Sequence, residues 1–501
     1  MPAPAPTISG NSVSASAFAQ AERDAVAMLR RGRRRDAYAA FVALSTRWPD
    51  VERLATTAAV LSAEVEGPTR AMPRLRETVA RFPSSATAWA ALGNASAAAG
   101  DLSAAHESLS RAVACDAQDA RLWFSLGRVA LLAGDATGAD AALTRALSLD
   151  PHNAPAIAGR AAAANWLGRW PEGEAHARAA LAIDGSDADA ALNLGVALLA
   201  QERWTDGWTH YEARWRTTHA AGARRDWPGR RWEGAPGNGE TLLVYAEQGF
   251  GDTLQFARFA PLVRARGFRV VLAVQPSLVR LLAGAELADA VVSMEAPPAD
   301  AAWHVPLLSL PRYASMPDGR PYLARSAAPL RPRGAPLRLG LVWAGSATHA
   351  NDARRSIPVE MFAPLLRVPG TVWQSLQQGA RAGDRVRATL PLAPMPPVTD
   401  FADTAALVAQ CDVVVSVDTA VAHLAAAMGV PTWVLVPAAG RDWRWAAAPG
   451  GRSRWYEAAR VVSQSRDGDW ATPIAALAAA LTNGVANGLA PADTRHQAGR
   501  P

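Results

Sequence analysis

The sequence contains no lysine and only two cysteines among its 501 residues. Arginine therefore carries all fixed positive side-chain charge, and the formal net charge of +6 is modest for a chain of this length. Cys115 and Cys411 stand far apart and form no motif, which argues against a disulfide framework or a thiolate metal site. The arginine run at 30–35 is weak evidence for polyanion binding, and we expect no nucleic-acid partner.

A long apolar run is also missing. Half of the residues are apolar, but stretches such as AALAAAL are too short to span a bilayer. The N-terminal sequence MPAPAPTISG has neither the basic start nor the apolar centre of a secretory signal. We therefore expect a cytoplasmic protein of two or three domains without a transmembrane segment.

A repeat of 34 residues fills the first part of the chain. The units 86–119, 120–153 and 154–187 align without gaps, and all three share a spaced alanine and a glycine between two helical segments. This pattern resembles the tetratricopeptide repeat (TPR), in which small residues let two antiparallel helices pack closely. Counting back by the same period puts the arginine run in an exposed connection. We predict a TPR solenoid of about six helical hairpins over 18–220, after a disordered segment 1–17.

The resemblance to TPR proteins implies a concave surface that binds a peptide or protein. The alternative is that the array only braces the next domain or makes a dimer, because a fold alone does not fix a function.

From residue 241 the pattern changes to alternating strands and helices. After a linker at 221–240, continuous Val, Ile and Leu runs separated by helical segments are typical of a parallel sheet covered on both faces. We predict strands at 241–246, 268–274, 288–294, 337–345, 371–377, 411–418 and 431–437. A proline-rich stretch divides them into two Rossmann-like domains, 241–336 and 337–482, followed by a disordered tail 483–501. Ligands of such sheets bind beyond the carboxyl ends of the strands.

The best local signal for a binding site is VVVSVDTAVAHLAAAMGVP. Asp418 ends a predicted buried strand, and Thr419 to His423 form the first turn of a predicted helix. The free N–H groups and positive dipole end of such a turn bind anions. Asp418 and Thr419 can instead be a simple strand-end cap, and His423 a structural histidine.

A second signal is the segment LLVYAEQGFGDTLQF, where a strand, a glycine loop and a helix follow one another. Asp252 precedes the apolar helical run and can be either a helix cap or a general base. Glu247 can pair with an arginine or contact substrate, and Gln248 and Gly251 are further candidates for contact with a ligand. The loop lacks the third glycine of a dinucleotide fingerprint, which argues against an NAD site.

The segment RDWRW supplies the last candidates. Trp443 or Trp445 can stack on a base or sugar and Arg444 can contact phosphate, although tryptophan is also good packing material. Contact with a base by Phe401 is a further guess.

Several of these motifs resemble the heptosyltransferase-like glycosyltransferases of family nine. DTAVAHLAAAMGVP resembles their Asp-Thr-x-x-x-His signature, and GFGDTLQFARFAP resembles their N-terminal Gly-Asp loop and helix. WAGS and RRSIP resemble the start of their second domain. Together the motifs cover most of 241–465, behind a TPR array.

The resemblance implies a GT-B fold, in which two Rossmann-like domains face each other across a cleft. It implies that Asp252 is the general base, and that Ser346 and Arg355 lie near the phosphates of a nucleotide-diphospho sugar. It also implies that Asp418, Thr419 and His423 hold the ribose and diphosphate of that donor. Attack opposite the leaving diphosphate would invert the anomeric centre.

Metal-dependent transferases typically carry an Asp-x-Asp motif at a strand end. The two copies here, 187–189 and 467–469, fall in the repeat array and in a polar loop, so we predict no metal and no cofactor besides the donor. The first predicted sheet domain is short for an acceptor-binding half, which favours an acceptor recruited by the TPR groove. The alternatives are a non-catalytic TPR scaffold with a degenerate transferase domain, or a transferase acting on a polysaccharide or lipid-linked glycan.

Overall fold

The computed structural model describes residues 12–217, 227–316, 318–325, 334–349, 351–384, 389–446 and 449–486. Two predicted boundaries are corrected, because the first helix already begins at Ser12 and the last helix continues to Ala486. The remainders of the expected disordered ends, 1–11 and 487–501, lie outside the described residues.

Twelve helices form six hairpins in the first part of the described chain. They are α1 Ser12–Arg30, α2 Arg34–Arg47, α3 Glu52–Val65, α4 Pro68–Arg81, α5 Ala86–Ala98, α6 Leu102–Cys115, α7 Ala120–Leu132, α8 Ala136–Leu149, α9 Ala154–Trp166, α10 Trp170–Ile183, α11 Ala188–Ala200 and α12 Trp204–Tyr211. Helices α5, α7, α9 and α11 begin 34 residues apart, as the repeat predicts. The TPR-type array is therefore confirmed.

The sequence sets the hairpins through caps and turns. Asp101 and Asp135 accept hydrogen bonds from the N–H groups of Ala104 and Gly138 and so begin α6 and α8. The glycine before each of these caps, for example Gly134 at φ +74°, occupies the left-handed region that other residues rarely adopt. Each repeat therefore turns at the same place.

The helical array does not form a single compact unit that ends at residue 220. The chain divides into one compact unit of residues 1–163 with 182–184, and a second unit of residues 164–181 with 185–501. Within the second unit, Trp208 of α12 makes edge contacts with Phe256, Trp443 and Trp455, at ring-centroid distances of 5.5–6.5 Å. The last hairpins thus belong with the sheet domains because their large aromatic residues are buried there.

The first sheet domain is built on five parallel strands. In chain order they are β1 Arg230–Arg231, β2 Thr241–Tyr245, β3 Arg269–Val274, β4 Ala290–Ser293 and β5 Trp303–Pro306, arranged β1-β5-β2-β3-β4. The predicted linker therefore contributes an edge strand, since Arg230 pairs in parallel with Trp303. Three short helices accompany the sheet: α13 Phe250–Phe256, α14 Ala260–Arg264 and α15 Val279–Ala283.

The second sheet domain has six parallel strands. They are β6 Leu337–Val342, β7 Thr371–Ser375, β8 Leu392–Ala393, β9 Val413–Val417, β10 Thr432–Val436 and β11 Ala459–Ser463, arranged β11-β10-β9-β6-β7-β8. Among its described residues, the helices are α16 Asp352–Arg355, α17 Ala363–Leu366, α18 Phe401–Ala409, α19 Ala420–Ala427 and α20 Ala471–Ala486. The seven predicted strands are present within a few residues, whereas β1, β5, β8 and β11 were not predicted.

Both sheets reverse their winding direction at an inner strand. In the second sheet the chain runs outward from β6 through β7 and β8, and returns to place β9 on the other side of β6. In the first sheet β5 returns beside β2 in the same way. This reversal leaves a crevice beyond the carboxyl ends of the two inner strands, where ligands of doubly wound sheets bind. Two Rossmann-like sheets of this kind, following a helical array, agree with the predicted fold class.

Candidate active site in the cleft between the two sheet domains

A cavity of about 790 Å³ lies where the carboxyl ends of β2, β6 and β9 meet. Its volume is in the range of sites that hold a small ligand or cofactor. The first sheet domain contributes the loop 249–252, and the second contributes segments after β6, β7 and β9. Its polar lining is made of Asp252, Ser346, Thr348, His349, Arg355, Gln377, Gln378, Arg381, Asp418, Thr419, His423, Asp442 and Arg444.

One wall is the start of helix α19. Thr419 precedes the helix and its hydroxyl exchanges a hydrogen bond of 3.0 Å with Ser416. Residues 419–421 line the cavity, which brings the first turn of the helix to the ligand space. Asp418 lies before this turn and its Oδ1 accepts a hydrogen bond of 2.8 Å from Trp445 Nε1. Burial, reinforced by the negative charge of Asp442, raises the pKa of Asp418 to about 6.

Arg355 lies along the same wall. Its Nη1 donates to the carbonyl oxygen of Asp418 over 3.3 Å, and its Nε is buried without a hydrogen-bond partner among the described residues. A Cβ on Gly345 would come within 2.6 Å of this guanidinium, so the glycine leaves the room it occupies. Ser346 follows, exposed at the cavity, with its hydroxyl 2.8 Å from that of Thr348. The arrangement places a cation and hydroxyl donors beside the helix start.

His423 lies one turn into α19 and is 5% exposed. Its Nδ1 is 3.0 Å from the Tyr456 hydroxyl, and its ring packs on Trp445 at a centroid distance of 4.8 Å. Burial, with the nearby positive charge of Arg444, lowers the pKa of His423 to about 3. The imidazole is therefore neutral at ordinary pH.

Asp252 lies in the first turn of α13, in the part of the cavity lining that the first sheet domain contributes. Its Oδ2 accepts the N–H of Gly249 at 3.1 Å, and its Oδ1 is 2.8 Å from Arg444 Nη2. Arg444 also contacts Asp442 at 3.0 Å, so one guanidinium joins two carboxylates. Burial raises the pKa of Asp252 although the charge of Arg444 opposes the shift. The N-cap residue of α13 is Gly249, and not Asp252 as one interpretation predicted; Asp252 is the third helical residue and accepts the N–H of Gly249 from there. It also lines the cavity, as the other interpretation required.

Three of the predicted cleft contacts are corrected. Glu247 has a side chain only 4% exposed, because Arg214 donates to both of its carboxylate oxygens at 2.9 Å. Trp443 packs in an aromatic cluster with Trp208, and Trp445 is 1% exposed and serves Asp418 as a hydrogen-bond donor. None of the three lines the cavity. Glu247 is ion-paired and the two tryptophans are packed in the interior, which are the alternatives that the sequence left open.

The remaining predicted contacts lie at the site. Gly251 lines the cavity, and a Cβ on it would come within 2.8 Å of His423 Cδ2. This close approach requires a residue without a side chain. Gln248 does not line the cavity, but its Oε1 is 3.5 Å from Arg444 Nη2. Phe401 lines it beside Phe250, at a ring-centroid distance of 5.2 Å.

Several cavity residues were missed by sequence reasoning. Asp442 precedes Arg444 in the same motif and could have been noticed as its partner. Gln377 follows β7, and its Oε1 accepts the N–H groups of Trp343 and Ala344 at 3.1 and 2.9 Å. His349 lies in an exposed loop after β6 with no sequence signal of its own. Gln377 could have been identified from its position at the end of the predicted strand 371–377.

Two absences hold for the part of the chain that the structure describes. It contains no cluster of three or more His, Cys, Asp or Glu side chains suited to a metal ion. None of its helices combines the length and apolar character that crossing a membrane requires. The expected lack of a metal requirement and the cytoplasmic location stay predictions.

The array and the pair of doubly wound sheets define a class of protein, a TPR-type solenoid joined to GT-B-like domains. Residues 373–435 match the sequence profile of Glycosyltransferase family 9 (heptosyltransferase). This segment runs from β7 to β10 and includes the Asp418–His423 wall. The resemblance predicted from the motifs is confirmed, and the match supports a glycosyltransferase in general.

A curated relative is Protein FlbA of Caulobacter vibrioides, 29% identical over 314 residues. The alignment covers 55% of this chain and 52% of the relative, so the chain spans about half the length of that protein.

Solved structures of TPR proteins are similar to about a third of this chain. YrrB, described as a TPR protein with an unusual peptide-binding site, is 19% identical, with a TM-score of 0.32 over 36% of this chain and 93% of its own. A thermophilic TPR protein of Thermus thermophilus is 23% identical, with a TM-score of 0.30 over 36% of this chain and 99% of its own. Scores this low say nothing about function.

Proposed function

We propose that the protein is an inverting, metal-independent glycosyltransferase that moves a sugar from a nucleotide-diphospho sugar to an acceptor recruited by the TPR array. The observation that carries the proposal is the composition of the cavity. The carboxylate of Asp252 lines the same cavity as the start of helix α19 and Arg355. One wall suits an acid–base group and the other suits an anion.

The anion wall fits a leaving diphosphate. The N–H groups of the α19 first turn and the guanidinium of Arg355 supply charge-assisted donors for phosphate oxygens. In a cavity that excludes water such donors stabilise developing negative charge strongly. Arginine and a helix dipole thereby take the part that a divalent cation plays in metal-dependent transferases.

The carboxylate wall fits an acceptor hydroxyl. As the acceptor oxygen attacks the anomeric carbon, its proton passes to Asp252 and the bond between that carbon and the diphosphate oxygen breaks. The raised pKa of Asp252 brings its basicity nearer to neutral pH, which favours a general base. Attack of the acceptor from the side away from the leaving diphosphate would invert the anomeric centre, as the resemblance to family nine implies.

Arg444 connects the two sheet domains at the cavity. It is held by Asp252 and Asp442, lines the cavity, and stacks over Trp443 with its guanidinium carbon 4.6 Å from the ring centroid. A donor diphosphate competes with Asp252 for this cation. Donor binding therefore frees the carboxylate to take a proton from the acceptor.

The nature of the acceptor is the remaining part of the proposal. The sheet β1–β5 and three short helices offer few surfaces for a large acceptor, whereas a TPR-type array presents a long one. A protein or peptide acceptor bound there would be carried to Asp252. Removing residues 1–153, which keeps α9 whole, should abolish transfer to such an acceptor without affecting hydrolysis of the donor. Unchanged transfer would favour a polysaccharide or lipid-linked acceptor instead.

The first experiment is a thermal-unfolding scan against ADP, GDP, UDP, CDP and dTDP, with and without magnesium. A ligand at about 100 times its Kd stabilises the protein by about 2.7 kcal/mol, which is easily detected. We expect one nucleotide to raise Tm equally in both conditions, and Arg355→Met to remove the shift. A shift with none of the five would favour the non-catalytic scaffold.

A further inference from the structure

His423 and Tyr456 form a buried pair at the edge of the cavity. The His423 Nδ1 and the Tyr456 hydroxyl are 3.0 Å apart, and the Tyr456 residue is 1% exposed. The opposite ring edge of His423 faces Gly251, where a Cβ would lie 2.8 Å from Cδ2 and 3.3 Å from Nε2. One nitrogen of the imidazole is thus turned to a tyrosine and the other to the wall of the ligand space.

The position of Arg258 indicates whether Tyr456 or His423 donates the hydrogen bond between them. Its guanidinium carbon lies 4.5 Å from the Tyr456 ring centroid and 4.3 Å from that of Tyr322. A guanidinium has only protons to offer, so it attracts the lone pairs of the Tyr456 oxygen and repels the hydroxyl proton. The hydroxyl of Tyr322 also interacts with that of Tyr456, and it gives its own proton to the carbonyl oxygen of Leu254 at 2.6 Å. Of the two acceptors beside the Tyr456 hydroxyl, the imidazole nitrogen His423 Nδ1, 3.0 Å away, is the stronger base, so the Tyr456 proton is directed to it.

We propose that Tyr456 is a positioning residue that fixes His423 as the neutral tautomer protonated at Nε2, so that Nε2–H donates to an anionic oxygen of the ligand. A neutral imidazole whose Nδ1 accepts a hydrogen bond carries its only proton on the other nitrogen. The donor role rests on the proposed function, since it assumes that a diphosphate occupies the cavity. The tautomer itself does not depend on it.

The surroundings keep the ring neutral and oriented. Trp445 covers the imidazole at an interplanar angle of 35°, which holds the ring plane. Arg444 and Arg258 both disfavour a second proton on the ring, and Asp442, which favours one, is outweighed by burial. With a pKa lowered to about 3, His423 keeps the same tautomer over the ordinary pH range.

The test is nitrogen-15 NMR of the full-length protein, labelled selectively at its nine histidines. The His423 signals are assigned by their loss in His423→Gln. We expect the pattern of an Nε2–H imidazole, unchanged between about pH 5 and 8. An Nδ1–H pattern, equal populations of both tautomers, or titration within that range would overturn the inference.

Two matched variants separate positioning from packing. Tyr456→Phe removes the hydroxyl that contacts His423, and Tyr322→Phe removes the neighbouring hydroxyl, which donates to Leu254. We expect mixed tautomers in Tyr456→Phe and the wild-type pattern in Tyr322→Phe. A wild-type tautomer in Tyr456→Phe would show that the hydroxyl does not set it.

Binding of inorganic pyrophosphate, a diphosphate probe without a base, measures the consequence. Loss of one oriented hydrogen bond should weaken binding to Tyr456→Phe about 2- to 10-fold, and Tyr322→Phe should bind like the wild type. His423→Gln, whose amide can donate from a similar position, should retain more affinity than His423→Ala. If pyrophosphate fails to bind the wild type while the Nε2–H pattern is found, the diphosphate site fails and the tautomer assignment stands.

Discussion

The two sheet domains share a strand order around their inner strands, but they use the ends of those strands differently. In the second domain, Asp418 follows β9 at the cavity, where it accepts a tryptophan N–H and burial raises its pKa. In the first, Glu247 also follows an inner strand, β2, but its carboxylate forms an ion pair with the buried Arg214. A strand end marks where a ligand can bind. Whether a carboxylate at that position can contact a ligand depends on the charged side chains that other segments of the chain place beside it.

The buried arginine comes from the array. Arg214 follows α12, is 8% exposed as a side chain, and donates to Glu247, Glu212 and Ser309. The loop 249–252 begins two residues after Glu247. The first domain thus uses one carboxylate to attach the last hairpin to the sheet and presents the next one, Asp252, to the cavity.

The largest effect should come from Asp252→Asn. Loss of a general base typically costs about 10²- to 10⁴-fold in rate, so turnover should fall by that amount while nucleotide binding persists. The measurement is kcat with the donor and acceptor that the nucleotide scan and the array deletion identify. Asp101→Asn is the control, because Asp101 also accepts a backbone N–H at a helix start but lies in the array. Equal turnover in both variants would remove Asp252 from the mechanism.

The second prediction concerns the framework carboxylate. Glu247→Ala leaves the Arg214 charge buried without its principal partner, and breaking such a pair costs about 3–5 kcal/mol. We expect a clearly lower Tm for the second compact unit, with nucleotide affinity retained at temperatures where the variant is folded. Glu247→Gln, which can still accept from Arg214 and from the N–H of Leu308, should be affected less. A loss of affinity without a loss of stability would assign Glu247 to the site after all.

This contrast also shows what the sequence could and could not predict. The period of 34 residues and the apolar strand runs depend on local composition, so the array and seven strands were predicted. Strand β5 was missed because its four residues, Trp303–Pro306, include a histidine and end in proline, and so do not form a continuous Val, Ile and Leu run. Asp418, Asp252 and Arg444 were identified because each lies next to a strand end or helix start. The pairing of Glu247 with Arg214 joins residues 33 apart through tertiary packing, which no local pattern contains.

The third prediction uses the pKa of Asp418, which folding raises from 3.8 to about 6. The folded state therefore binds this proton more tightly than the unfolded state. The associated stability is present below about pH 4 and is lost as pH rises through about 6. Asp418→Asn keeps the acceptor for Trp445 Nε1 but cannot ionise, so above about pH 6 it should be more stable than the wild type, by on the order of 1–3 kcal/mol. Melting curves of both proteins from about pH 4 to 8 should converge at the acid end; parallel curves would contradict the raised pKa.

The smallest effect is expected at the exposed bridge between the two sheet domains. Arg280 of α15 contacts Asp400 at 2.6 Å and also Asp403, at the start of α18, with a side chain that is 57% exposed. An exposed ion pair contributes little to stability and is weakened by salt, so Arg280→Met should lower Tm slightly at low salt and not at all at high salt. The measurement is Tm against ionic strength, compared with Glu247→Ala, whose loss should not depend on salt. A large salt-independent loss in Arg280→Met would mean that this bridge, although exposed, stabilises the protein as the buried pair of Arg214 and Glu247 does.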